Sequence, residues 1–386
     1  MFEDYFFSAG VIYFGVFMEI LWLTEDEVKD LLSMDEAIAA VGKAFYDHGT
    51  GRTQMPPKSY LYFPQYDGDL RTMPAYLEGE EQAGVKIVNV HTRNPAIGLP
   101  TVMALLTLVS PKTGAPLAIM GGAHLTAMRT GAAGAVAARL LARKSSRTAG
   151  MIGAGVQARS QLLGLSRHFG LDQVRIFDPS LERCQSLAEY GRDFLKSEFT
   201  KEKEAEDACQ CDILVTTTPS RRPVVKEAWI SPGTHINAIG ADARGKQELE
   251  SALTGKSKVF VDDMAQAIHS GEVNVPISQG LLRQEDIFAG IGEVLAAMKP
   301  SREDESEITI FDSTGLGIQD VAAGFSVYKK ALETGRGIRL SLGQKAGPVL
   351  RAKPISILTL IGGRDKKWQK IKSRARDLKI ATAIFR

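Results

Sequence analysis

Residues 148–178 read TAGMIGAGVQARSQLLGLSRHFGLDQVRIFD, and the order of apolar runs and small residues within them decides the fold. An apolar run ends at Ile152, Gly153-Ala154-Gly155-Val156-Gln157-Ala158 follows, and a second apolar run closes on Asp178. Between the runs, Val156, Leu162, Leu165 and Phe169 recur at helical spacing. The pattern is strand, glycine turn, helix, strand, with Ala158 in the third small position of a G-x-G-x-x-G/A string. Such a string alone also fits an ordinary turn. In this context Gly153 would make the tight turn, Gly155 would let a pyrophosphate reach the helix N-terminus, and Asp178 would accept from ribose hydroxyls. Asp178 favours NAD, while Arg175 and Arg183 nearby leave NADP open.

Outward from that stretch, short apolar runs at 213–217, 235–239, 258–261 and 308–311 alternate with helical segments, the rhythm of an open parallel sheet. Polar residues fall where strand carboxyl ends are expected: Thr216 to Thr218, Asp242, and Ser313 with Thr314. The run KEKEAED at 201–207 reads as a solvated helix face, and His235 as a satisfied core histidine. Before the fingerprint, residues 123–144 suggest an Ala- and Gly-rich helix able to pack on something flat. Its guest Arg129 either reaches a cofactor phosphate or caps a surface patch. Earlier still, runs at 58–63, 70–77, 85–90, 101–109 and 116–120 read as a meander. It would bring Lys58, Arg71 and Lys86 onto neighbouring strands, where three cations either line a solvated face or need an anion to make burial tolerable.

The chain of 386 residues is 44% hydrophobic and 24% charged, enough for about two globular domains. Its net charge of +2 hides an asymmetry: 341–386 holds 12 Lys and Arg against 2 acids, leaving 35 basic and 43 acidic groups before it. The acidic body and the lack of aromatics among the tail's cations argue against a nucleic-acid partner. Cys184, Cys209 and Cys211 form neither a disulfide framework nor a C-x-x-C set, as expected of a reduced, cytoplasmic chain, and scattered histidines predict no metal. Residues 1–17 are apolar but too short to span a membrane and too acidic for a signal peptide; a misplaced start, an edge strand and a partner-binding arm all fit. Thr24 with Glu27 makes a capping box. Residues 341–386 read as a loosely attached basic extension, either anion-binding or a read-through product.

The stretches MPPKSYL, DLRTMPAYL, GVKIVNVH, LPTVMALL, LTAMRTGAAGAVAARLLARK, GAGVQA, HINAIGADARGKQEL and ITIFDSTGLGIQD, in that order over 18–335, resemble the ornithine cyclodeaminase and μ-crystallin family, most of all its archaeal-type alanine dehydrogenases. The resemblance implies an α/β fold: a Rossmann NAD-binding domain (129–307) inserted in an α+β substrate-binding and dimerisation domain (18–128, with 308–340 returning to it). It also implies a homodimer. By position, Lys58, Arg71 and Lys86 would face the substrate, and Thr101, Arg129, Val156, Gln157, Asp178, Lys246 and Ser313 would hold NAD, joined by Gly153 and Gly155 of the glycine turn and Thr217 of the strand end. Lys86 would shuttle protons and Asp242 would stand beside the reacting carbon. Where cyclodeaminases carry a glutamate two residues before Met-Pro, this chain has Arg71 before Thr72, Met73 and Pro74. An arginine cannot pair with a second ammonium and suits a carboxylate. The expected reaction is therefore reversible oxidative deamination of L-alanine to pyruvate and ammonia, with ornithine cyclodeamination, or μ-crystallin-like cofactor binding without chemistry, as alternatives.

Overall fold

The computed structural model describes residues 7–8, 11–12 and 19–342. Two-residue strands Phe7–Ser8 and Val11–Ile12 pair antiparallel with each other. The other readings for 1–17 and those for 343–386 lie outside the described residues. Residues 19–342 fold around two sheets.

The first sheet is parallel throughout, in the spatial order Glu198–Lys201, Gln173–Phe177, Thr148–Ile152, Ile213–Thr216, His235–Ala238, Thr309–Asp312, Lys258–Val261, Ala289–Gly290. Its central strands are buried at every position, which is why they read as unbroken apolar runs rather than alternating ones. From Thr148–Ile152 the chain winds outward through two strands, then crosses back to place Ile213–Thr216 on the other side. The order reverses there, and the crevice at such a reversal is where these sheets take ligands. His235 lies fully inside, its ring nitrogens bonded to Thr309 Oγ1 and Asn237 Oδ1; burial drops its pKa to about 3.

Helix Ala123–Leu141 packs against helix Val156–Leu165 more than against a flat surface. Gly131 lies against the Ser160 backbone, and Gly164 against Gly131 O, so the helices approach as bare backbone. Gly131→Ala would drive a methyl into the Ser160 carbonyl and is expected to cost about 3 kcal/mol, seen as a lowered melting temperature.

The second sheet runs Ile338–Ser341, Glu19–Leu23, Pro116–Gly121, Val102–Val109, Gln82–His91, Gly68–Leu77, with Thr53–Gln54 and Ser59–Phe63 both on the outer edge of the last strand. Every pairing is antiparallel except that of Glu19–Leu23 with Pro116–Gly121. The register sets Arg71 between Tyr60 and Val88, and Lys86 between Met73 and Leu106. Side chains alternate along a strand, so Arg71 and Lys86 share one face. Helix Gly317–Thr334 packs on the same sheet. Leu61, Leu70, Asn89 and Met103 form a row on the opposite face, with Ser59, Thr72, Ile87 and Leu105 beside it.

Three expectations are corrected. Thr309–Asp312 belongs to the parallel sheet, between His235–Ala238 and Lys258–Val261, so the return to the second sheet starts after Asp312 and not at 308. The expected domain edge between 128 and 129 falls inside the continuous helix Ala123–Leu141. Lys201 ends the edge strand Glu198–Lys201, and helix Ala205–Ala208 takes only the last three residues of the charged run, because strand pairing with Gln173–Phe177 outweighs the helix propensity of Lys and Glu.

Candidate active site

Two adjoining cavities open at the carboxyl ends of the parallel strands and share Thr217, Thr218 and Pro219 as a common wall. The larger, about 720 Å³, is lined by Gly153, Gly155, Asp178 and Arg183. Gly153 sits at φ +93°, where a side chain would be strained. Gly155 precedes Val156–Leu165 without a side-chain cap, and a Cβ there would meet open space, so its smallness keeps the approach to the helix amides clear. Asp178 accepts from the amides of Ala154 and Ser180, which fixes its carboxylate on the cavity wall. Arg175 turns instead to Glu202, 3.5 Å away.

The smaller cavity, about 320 Å³, gathers Lys58, Arg71, Lys86, Arg129, Gln157, Asp242, Lys246 and Ser313. The meander, the Ala-rich helix and the strand ends of the parallel sheet thus converge on it. Of the residues expected to hold cofactor, Thr101 and Val156 line neither cavity; Val156 is exposed, and Thr101 precedes the lining residue Val102.

Lys86 and Arg129 are buried, and Lys58, Arg71 and Lys246 are partly so. Lys86 and Arg129 both donate to Asp320 Oδ1, at 2.8 and 2.9 Å. Arg71 pairs with Asp69 Oδ2 at 2.8 Å and Asp242 Oδ2 at 2.9 Å and lies over the Tyr60 ring. Lys246 pairs with Asp242 at 2.5 Å, and Lys58 donates to the Thr314 carbonyl at 2.6 Å. The anions that make their burial tolerable are therefore partly the protein's own, which sequence reading missed. Asp320 is the chief omission; its signal was an acid inside the apolar stretch GIQDVAAGF. Asp262, also missed, fixes the 313–315 turn by accepting from Thr314 Oγ1 and Gly315 N.

Burial lowers the Lys86 pKa to about 7, with Arg129 adding to the shift and Asp320 opposing it. Neighbouring cations are thus the secondary cause. Burial likewise brings Lys58 down to about 8, opposed by Asp242 and Asp262. Burial pushes the Asp242 carboxyl up, but Lys246 and Arg71 outweigh it and hold the group well below the usual range. Asp242 is thus a fixed anion that can orient a water, and a weak base. Burial raises the thiol pKa values of Cys184, Cys209 and Cys211. Among the described residues no group of three or more His, Cys, Asp or Glu is placed to hold a metal, and no helix is long and apolar enough to cross a membrane.

Behind the strand ends, burial pushes the Asp312 carboxyl up to about 8, and its Oδ1 has no partner while Val273 N donates to Oδ2. An acid whose folded pKa is raised stabilises most below its unfolded value and loses that contribution as pH rises through the folded one. Asp312→Asn, which stays neutral, is therefore expected to gain melting temperature over the wild type between pH 5 and about 9. A constant difference across that range would show that Asp312 does not titrate there.

The model of the ornithine cyclodeaminase/mu-crystallin family matches residues 18–335. The chain belongs to that family. It is 52% identical to an alanine dehydrogenase of Archaeoglobus fulgidus over 84% of this chain and 98% of the relative. An archaeal alanine dehydrogenase dimer with bound NAD superposes at a TM-score of 0.81, with 51% identity over 84% of this chain and 100% of that one. The Δ1-pyrroline-2-carboxylate reductase of Thermococcus litoralis, in complex with NADH and L-proline, gives 0.80 with 39% identity over 83% and 99%. The fold is thus the mixed α/β architecture that the resemblance implied.

Proposed function

We propose that this family member binds NAD and catalyses the reversible oxidative deamination of L-alanine to pyruvate and ammonia. The observation that carries the reading is the set of cations, Arg71 among them, that lines a small cavity adjoining the Gly153–Gly155 turn. The protein fits the dinucleotide: Gly155 leaves open space, Asp178 faces the larger cavity, and the buried Ser313 hydroxyl has no protein partner. Bound NAD supplies the acceptor for the Cα hydride of the amino acid.

Lys58 and Arg71 bind the carboxylate of alanine, so the substrate competes with Asp242 for the Arg71 fork. With its ammonium proton released to solvent, alanine reacts as the neutral amine, and loss of the hydride leaves an iminium on the substrate carbon. Asp242, ionised and tethered by Lys246, accepts a hydrogen bond from the water that adds to it. Lys86 takes the water's proton and returns one to the nitrogen, and the carbinolamine collapses to pyruvate as its hydroxyl proton leaves with the ammonia as ammonium; a pKa near 7 suits both transfers. Ornithine is the poorer substrate, because Asp69 and Asp242, the carboxylates beside Arg71, are already paired. A purely storage or structural protein would need neither Lys86 nor Asp242 in the cavity.

Mixing the protein with NADH, pyruvate and ammonium is expected to consume NADH, and NAD with L-alanine to regenerate it. Oxidation-state-neutral conversion of ornithine to proline, or turnover of Δ1-pyrroline-2-carboxylate with pyruvate ignored, would replace alanine with a cyclic or diamine substrate. The same assay with NADPH decides the cofactor.

A homodimer is part of this proposal. Leu61, Met103 and Leu105 are 60%, 40% and 43% exposed on the sheet face opposite the cavity, a row that a second copy would cover. Leu105→Asp is expected to shift sedimentation from dimer to monomer; an unaltered dimer would place the interface elsewhere.

A further inference from the structure

We propose that Asp320 is the positioning residue of this cavity: by sharing one carboxylate oxygen between Lys86 and Arg129, it aims the Lys86 ammonium and sets how readily it gives up its proton. The inference rests on the proton-shuttle role of Lys86 proposed above, but its central measurement does not need a substrate.

The geometry makes the sharing specific. Lys86 Nζ and Arg129 Nε converge on Asp320 Oδ1, while Oδ2 is buried without a partner. Asp320 and Lys86 are 0% and 1% exposed, and Arg129 is 6%, so solvent contributes little to the balance of charge. Arg129 cannot easily turn away, because its Nη1 donates to Gln319 Oε1 at 2.8 Å and its guanidinium packs beside Gly315. Helix Gly317–Thr334 therefore carries both acceptors, Gln319 and Asp320, and delivers them from a part of the chain remote from Lys86.

The groups around Lys86 come from every wall. Arg129 comes from helix Ala123–Leu141, Lys58 from the segment before Ser59–Phe63, and Arg71 from the adjoining strand. Asp242 and Lys246 form an ion pair in the same cavity. Against burial, Arg129 and Lys58, which all favour the neutral amine, Asp320 is the carboxylate in direct contact that favours the ammonium. One oxygen serving two cations gives Lys86 a weaker hold on its proton than an undivided pair would.

The test is to label the lysine ε-carbons with ¹³C, assign Lys86 with a Lys86→Arg control, and follow its titration by NMR. Asp320→Asn keeps the shape and removes the charge; it is expected to weaken the proton affinity of Lys86 at least about tenfold. The midpoint of alanine oxidation should move to lower pH with it. Arg129→Met, in which Lys86 has Asp320 to itself, is expected to strengthen that affinity at least about tenfold. This second variant keeps the inference testable if Asp320→Asn does not fold. A Lys86 midpoint unmoved in Arg129→Met, or in a folded Asp320→Asn protein, would overturn the assignment. Midpoints that move as expected in a protein inactive toward alanine would overturn the functional reading alone.

Discussion

Lys86→Ala is expected to lower kcat for alanine oxidation and for pyruvate amination by about 10³-fold or more, with the dissociation constant of NADH changed by less than about threefold. General acid–base groups contribute about 10² to 10⁴ in rate, and Lys86 is the buried amine of this cavity whose pKa, about 7, matches transfer in both directions. Oxidation needs the neutral amine to accept the water's proton, so its rate should climb with pH through that midpoint; amination needs the ammonium and should fall over the same range. Alanine removes the amine without touching the cavity that holds Gly153, Gly155 and Asp178. Near-normal turnover, or loss of NADH binding in parallel with loss of rate, would remove Lys86 from the proton path.

Arg71→Ala is expected to raise KM for alanine and for pyruvate by about 10²- to 10³-fold. A bidentate charged hydrogen bond stabilises by roughly 3 to 4 kcal/mol, and every factor of ten in affinity corresponds to about 1.4 kcal/mol. The variant also leaves Asp69 and Asp242 without their shared partner, so Asp242 keeps Lys246 alone and its carboxyl pKa should rise. Steady-state kinetics against both substrates, with NADH binding measured separately, distinguish the two effects. An unchanged KM would mean that the substrate carboxylate rests on Lys58 without Arg71.

The glycine turn, the parallel strands and the meander were legible because each depends on local chemistry. Gly153 must take a positive φ, buried strands must be apolar on both faces, and Arg71 and Lys86 announce themselves as cations in apolar strands. Val156 and Thr101 were placed with the cofactor by family resemblance alone, and neither lines the two adjoining cavities. Asp320 could not be assigned from its neighbours, because an acid in the first turn of Gly317–Thr334 is equally what a solvated helix start would carry.

The amino-acid sequence by itself determined the alternation of strands and helices and the glycine turn, since these follow from residue-by-residue periodicity and backbone sterics; that the cations share a cavity came from the tertiary structure. Only the tertiary structure decided the charge pairing: that Asp320 divides itself between Lys86 and Arg129, and that Asp242 occupies Arg71. Those pairs join residues 171 to 234 positions apart. Their strength depends on burial and distance, which exist only once the two sheets have closed on one another.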